Sequence, residues 1–269
     1  MADISKLRTM TGAGMMDCKN ALNEAEGNFD KAIEIIRKKG QAIAAKRSDR
    51  QASEGCVLSA SNGEFAAVVA IKCETDFVAK NADFIALTQS ILDAAMANKI
   101  ADKEALLALE IDGRSIADLI TDRSGITGEK MELGFYEVVN GAATVAYIHP
   151  GNKLATVVAF NEALDAQVAR EVAMQVAAMN PIAVKRDEVP ANIIATELEV
   201  GREKARQEGK PEAMLDKIAE GRLNKFYKES TLLEQDFIKD AKVSVQQYLK
   251  QVSASLTATA FKRVTLNEE

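Results

Sequence analysis

Cys73-Glu74-Thr75-Asp76-Phe77-Val78-Ala79-Lys80-Asn81 follows the apolar run AAVVAI, Ala66 to Ile71, and precedes an amphipathic segment that begins near Phe84. A short apolar run bounded by turn residues reads as a buried strand, and the phased segment after it as a helix. The nine residues between them are therefore a strand-to-helix junction, where a rigid scaffold holds binding residues on a loop. Asp76 beside Phe77 sets a carboxylate next to a large apolar ring at a surface turn. On spacing alone, the simpler reading is that Thr75 or Asp76 caps a helix while Phe77 tucks into the core. The other is that the ring stays outside and meets a partner.

Working outward, Cys56 to Ala60 and Phe65 to Cys73 flank Asn62-Gly63, the dipeptide of a type I′ hairpin turn. Downstream, Phe84, Leu87, Ile91 and Ala95 share one helical face, and two further helical segments span about 102–110 and 114–123. The design then recurs. Met131 to Val139, Asn140-Gly141 and Ala142 to Ile148 predict a second hairpin with the same turn dipeptide. His149-Pro150-Gly151-Asn152 turns into another apolar strand, Leu154 to Phe160, and a buried helix, Val168 to Met179, stops at Asn180-Pro181. The fold class is therefore α+β and helix-rich, with two related antiparallel sheet/helix core units.

Residues 1–39 read as three short helices in a small bundle. Ile4 and Leu7 mark the first, and Cys18, Ala21, Leu22 and Ala25 the second. Phe29, Ala32, Ile33 and Ile36 form the stripe of a third that Gly40 should stop. So thin a core suits binding better than chemistry. Gly12-Ala13-Gly14 permits a tight turn, but lacks the Gly-Lys-Ser/Thr ending of a phosphate-binding loop. Met15 and Met16 then open a helix. Adjacent helical side chains point about 100° apart, so the pair is hard to bury together. Core filling and a thioether partner surface are level readings.

The expected division is 1–39 bundle, 40–54 linker, 55–126 core unit one, 127–186 with 230–269 core unit two, and 187–229 a charged, protruding helical hairpin broken at Gly209-Lys210-Pro211. A helix at 243–252, an edge strand from Ser255 to Val264 and a loose tail from Thr265 to Glu269 close the chain.

Composition narrows the function. The net charge of −6 argues against wholesale phosphate binding, and no direct nucleic-acid contact is expected. Lys and Arg do cluster at 37–50, without the interleaved aromatics of a stacking platform. No apolar run approaches the roughly 20 residues that span a bilayer, and MADISKLRTM carries no secretory signal. Three unpatterned cysteines fit a reduced, cytoplasmic protein with no disulfide framework. The single histidine, His149, excludes multi-histidine metal sites and leaves one triad member of that type. No metal or cofactor is expected.

Two stretches together resemble one family. Leu7-Arg8, Thr11 to Lys19 and Ala21-Leu22 look like the N-terminal signature of bacterial elongation factor Ts, and Thr75 to Lys80 is similar to its second signature. With the tandem units and the charged hairpin, the resemblance spans almost the whole chain. It implies a ubiquitin-associated-like bundle at 1–39. It also implies a non-enzymatic guanine-nucleotide exchange factor for elongation factor Tu, acting by protein–protein binding with no covalent chemistry. Thr75, Asp76, Phe77 and Val78 would be a wedge that dislocates the partner's Mg²⁺. Leu7, Met15 and Met16 would dock the bundle on the same GTPase, and His149 would approach the phosphate side. The resemblance implies a one-to-one complex, with a two-fold assembly as the alternative. Longer members continue into a C-terminal helix, whereas this sequence ends at Thr265-Leu266-Asn267-Glu268-Glu269. The competing readings are an RNA-binding translation-associated module using 37–50, and a thiol enzyme pairing Cys73 with His149.

Overall fold

Three amphipathic helices open the chain in a computed structural model that describes residues 2–267: α1 (Ala2–Thr11), α2 (Met15–Glu24) and α3 (Phe29–Lys46). Asn28 starts α3 by accepting the Lys31 amide at 3.0 Å. Leu7, Cys18, Ala21, Leu22 and Ala32 make the small bundle core. Gly40 does not stop α3 as expected. It serves a close approach instead: a Cβ placed on Gly125 would lie 2.2 Å from the Gly40 Cα. Two bare backbones thus cross in contact, and α3 runs on to Lys46 through part of the expected linker.

Next come β1 (Glu54–Ser61), β2 (Phe65–Cys73), α4 (Asp76–Ala79), α5 (Ala82–Asn98) and α6 (Lys103–Ala108). A small ribbon, β3 (Glu110–Ile111) with β4 (Arg114–Ser115), leads into α7 (Ile116–Thr127), the helix that carries Gly125. β1 and β2 form the expected hairpin, but not around a type I′ turn. That turn needs positive φ at both central residues, and here Gly63 has it (φ +103°) while Asn62 does not. The Asn62 side chain instead accepts the Glu64 and Phe65 amides.

The second hairpin does not form. β5 (Glu132–Asn140) pairs antiparallel with β2, whereas β6 (Ala143–Ile148) pairs with β7 (Leu154–Phe160). Asn140-Gly141 carries the chain from one sheet to the other. The Gly141 amide donates to Glu64 O and the Ala142 amide to Phe160 O. A Cβ on Gly141 would sit 2.9 Å from Phe160 O, so this glycine answers crowding between sheets. Residues 132–140 therefore belong to the first sheet, and 127–131, which lead into them from α7 with Met131 in the same core, belong to unit one as well, not to unit two as expected.

The chain continues through α8 (Ala166–Met179), α9 (Ala191–Gln207), α10 (Leu215–Ser230), β8 (Asp236–Phe237), β9 (Asp240–Ser244), α11 (Val245–Val252) and β10 (Ala258–Thr265). The sheets are ordered β1-β2-β5 and β10-β7-β6. They stack through small apolar faces: Val57, Ala66, Val68 and Ala70 meet Ala155, Val157, Ala159 and Val264. The outer face of sheet one packs under α5 to α7, and that of sheet two under α8 and α11. β2 and β7 are buried on both faces, which is why their sequences run apolar without alternation.

α9 and α10 pack on each other at Gly201 and Ala219, with Arg202–Asp216 (2.6 Å) and Arg222–Glu208 (2.7 Å) pairs across the seam. Of the expected tail, Leu266 is held: its amide donates to Lys153 O and its side chain joins the inter-sheet cluster. Glu268 and Glu269 lie outside the described residues.

Candidate partner-binding site

The opening stretch folds as a single helical turn between two caps. Thr75 is the N-cap of α4: its Oγ1 accepts the Val78 amide at 3.4 Å, and its carbonyl accepts the Ala79 amide at 3.1 Å. Asn81 then caps α5 by accepting the Asp83 amide at 2.9 Å. The second cap stops α4 from fusing with the longer helix. Side chains around so short a turn diverge. Val78 packs partly on the unit-one core and Ala79 is buried, while Phe77 projects with 84% of its surface exposed. The simpler reading was half right: Thr75 caps, but the ring does not tuck in.

Asp76 sits beside Phe77 and takes the Lys80 ammonium at 2.6 Å. That hydrogen bond holds its carboxyl below the usual range, helped by the charges of Lys80 and, from the second unit, Lys153. One-turn helices are not stable alone, and external support comes from Glu129. Its Oε2 accepts the Glu74 and Thr75 amides at 3.1 and 3.0 Å, and its Oε1 accepts the Thr75 hydroxyl at 2.6 Å. Sequence reasoning missed Glu129, which carries no local signal of its role.

The second turn lies at the same end of the sandwich. The His149 amide donates to Leu154 O at 2.8 Å, closing the turn through Gly151 (φ +95°) and Asn152 (φ +55°). The start of β1 joins the two turns. Glu54 faces Cys73 in register on one side and pairs with Lys153 at 2.7 Å on the other, while Val57 donates to Asn152 O. His149 is exposed, its Nδ1 lies 3.0 Å from the Tyr147 hydroxyl, and Arg170 stacks over the Tyr147 ring at 5.3 Å.

In the bundle, Met15 and Met16 are 57% and 63% exposed. Leu7 is fully buried among Cys18, Ala21 and Leu22. It holds the helices together and has no surface to present, which corrects its expected role as a contact. Cys73 is likewise buried, and burial, with the Glu129 and Glu54 carboxylates, pushes its thiol up to about 12. A thiol held that way is a poor nucleophile, which removes the physical basis of the thiol-enzyme reading. Among the described residues, no three His, Cys, Asp or Glu side chains are grouped to hold a metal, and no helix is long and apolar enough to cross a membrane.

The comparisons with known proteins agree with one another. The family described as Elongation factor TS matches residues 74–268. Elongation factor Ts of Porphyromonas gingivalis is 65% identical over 268 residues, covering 99% of this chain and 98% of the relative. Elongation factor Ts of Azobacteroides pseudotrichonymphae is 58% identical over the same shares of both chains. That of Bacteroides fragilis is 48% identical, covering 100% of this chain and 99% of the relative. The chain therefore belongs to the elongation factor Ts family, the exchange factors of translation elongation.

Proposed function

We propose that the protein speeds GDP release from elongation factor Tu by driving Phe77 and Asp76 into the GTPase beside its Mg²⁺ site. GTPases hold nucleotide through phosphate-cradling amides, a lysine and a metal with hard oxygen ligands. An exchange factor needs no covalent chemistry. It must bind the nucleotide-free partner more tightly than the loaded one, and the coupling is reciprocal, so nucleotide is weakened by the same factor. Each tenfold of coupling needs ~1.4 kcal/mol of differential binding.

The observation that carries this reading is Phe77, 84% exposed on a turn that is capped, clamped and backed by a buried Ala79. An exposed ring on a rigid base can enter a pocket without first paying to be ordered, as an anchor of the hot-spot kind does. Asp76, an ionised carboxylate paired with Lys80, offers an acceptor that competes for donors near the metal. Met15 and Met16 supply a deformable docking face in a one-to-one complex. His149 adds an imidazole whose Nδ1 is taken by Tyr147, leaving Nε2 to face the partner.

The test mixes the protein with elongation factor Tu carrying fluorescent GDP and follows release. Wild type accelerates release, and Phe77→Ala does so far less. A wild type that fails to accelerate release overturns the exchange reading, and an unimpaired Phe77→Ala overturns the wedge. Against the RNA reading, Lys38, Lys39 and Arg50 of the basic segment are already paired with Glu34, Asp17 and Glu74. Less free charge is left for phosphates.

A further inference from the structure

We infer that Glu129 is a positioning residue for exchange: its carboxylate straps the Thr75–Ala79 turn in the pose from which Phe77 projects. The inference rests on the wedge reading of that turn. One carboxylate takes three donors from two consecutive residues, the amides of Glu74 and Thr75 and the Thr75 hydroxyl. An ionised acceptor makes the stronger class of hydrogen bond. Here the bonds fix the N-cap residue itself, which fixes the direction in which the next residues leave the strand.

Glu129 is in turn held at its own backbone. Gly128 ends α7 with φ +74°, turning the chain back. The Glu129 amide donates to Thr127 Oγ1 at 3.3 Å, and its carbonyl accepts the Ser124 hydroxyl. The strap is therefore anchored to the last turn of α7, the helix on which Gly40 of the bundle helix rests.

A second strap runs the other way. Glu74 accepts the Lys130 amide at 2.7 Å and pairs with Arg50 at 3.1 Å, just beyond the end of α3. Two glutamates, each on one segment and gripping the backbone of the other, cross-brace 74–75 against 129–130. That exceeds what capping a four-residue helix requires, since Thr75 already does so. The surplus holds an exposed aromatic at a fixed height and angle. An ordinary core contact would bury Phe77, and this arrangement keeps it out.

The experiment measures GDP release from elongation factor Tu against concentration of the full-length factor, separating the maximal rate from the half-saturating concentration. Losing bonds to a charged acceptor predicts about a tenfold lower maximal rate for Glu129→Ala. The half-saturating concentration should change less, because the bundle methionines are untouched. Glu129→Gln should recover to within about threefold, since its amide oxygen still accepts the two N–H groups. In an Asp76→Ala/Phe77→Ala background, Glu129→Ala should add nothing, because its route to the partner runs through those two side chains of the turn it holds.

A full maximal rate in folded Glu129→Ala, or a further loss when Glu129→Ala is added to the Asp76→Ala/Phe77→Ala background, overturns the inference. Should Glu129→Ala melt, Glu129→Asp serves instead. It keeps the charge but withdraws it by one methylene, and a full maximal rate there overturns the inference as well. The two failures separate cleanly. An unimpaired Phe77→Ala removes the wedge and the strap's purpose with it, whereas an impaired Phe77→Ala beside an unimpaired Glu129→Ala removes the strap alone.

Discussion

The two core units share an architecture, a three-stranded antiparallel sheet with helices on its outer face, yet they direct their hydrogen-bonded carboxylates differently. In unit one, Glu129 and Glu74 brace a turn that projects from the end of the sandwich. In unit two, Glu171 is turned inward. It takes Lys239, the Tyr248 hydroxyl at 2.6 Å and Gln167 at 2.9 Å, tying α8 to α11 and to the segment before β9. Gln175 and Gln235 extend that lock to Ile238 N, Met179 O and Glu229 O. The same kind of polar group shapes a surface in one unit and fastens a core in the other. What differs is whether the segment it grips has anything exposed to hold.

Phe77→Ala breaks the comparison most directly. A rigid aromatic anchor lost from an interface predicts about a hundredfold slower GDP release. Because Phe77 is 84% exposed, the melting temperature should stay within a degree or so of wild type. A large fall in melting temperature would mean that the ring supports the fold, and the contrast between the units would vanish.

Glu171 is the mirror case, with an effect on stability and none on exchange. Hydrogen bonds from Lys239, Tyr248 and Gln167 lower its carboxyl to about 2. Its folded value lies below its unfolded one, so its contribution is complete above about pH 4.5 and lost as pH falls towards 2. At roughly 1.4 kcal/mol per unit, Glu171→Ala should cost about 3–4 kcal/mol near neutrality, read by urea unfolding. Since the variant has no group to protonate there, its disadvantage should shrink below pH 4. An exchange defect in the folded variant would show that the inward network also reaches the site.

His149→Ala should have a smaller effect, about five-fold on the maximal rate, the scale of one exposed hydrogen bond made in a complex. Its turn is closed by backbone bonds and by Asn152 against Val57, so the loop survives the truncation. A loss as large as that of Phe77→Ala would make the two turns equal partners.

The sequence made legible what depends on neighbours in the chain. AAVVAI announced a strand, and the stripes at Phe84 and Val168 announced helices, because burial writes itself into local pattern. It misled where a residue's meaning lay elsewhere in the fold. Asn62-Gly63 and Asn140-Gly141 are the same dipeptide, but one closes a hairpin and the other crosses between sheets, a choice made by Phe160 and Glu64. Gly40 resembled a stop signal until Gly125 lay against it. At the site, Asp76 and Phe77 stood out as an odd pair, while Glu129 was invisible, since nothing around it points to Thr75.

Lys80→Met is the mildest change and tests whether the two turns form one surface. The Asp76 carboxyl is held low chiefly by its Lys80 hydrogen bond and also by the charge of Lys153, which belongs to the other turn. Removing Lys80 should let the Asp76 pKa rise towards its ordinary value, read by carboxyl-carbon NMR titration. A folded value below the unfolded one favours the fold above the usual carboxylate range and fades as pH drops through the lowered value. The variant should therefore lose its small difference from wild type in acid. At neutral pH Asp76 stays ionised, so the maximal exchange rate should fall by less than about twofold, as for an exposed i,i+4 pair. Lys153→Met should move the Asp76 titration in the same direction by less, and added salt should erase that shift first, because the more distant charge is screened more. If Lys153→Met leaves the Asp76 titration where it was, the turns act independently. If it shifts as expected, the wedge of unit one carries a charge tuned by unit two, and the division of labour between the units is incomplete at the point where they meet.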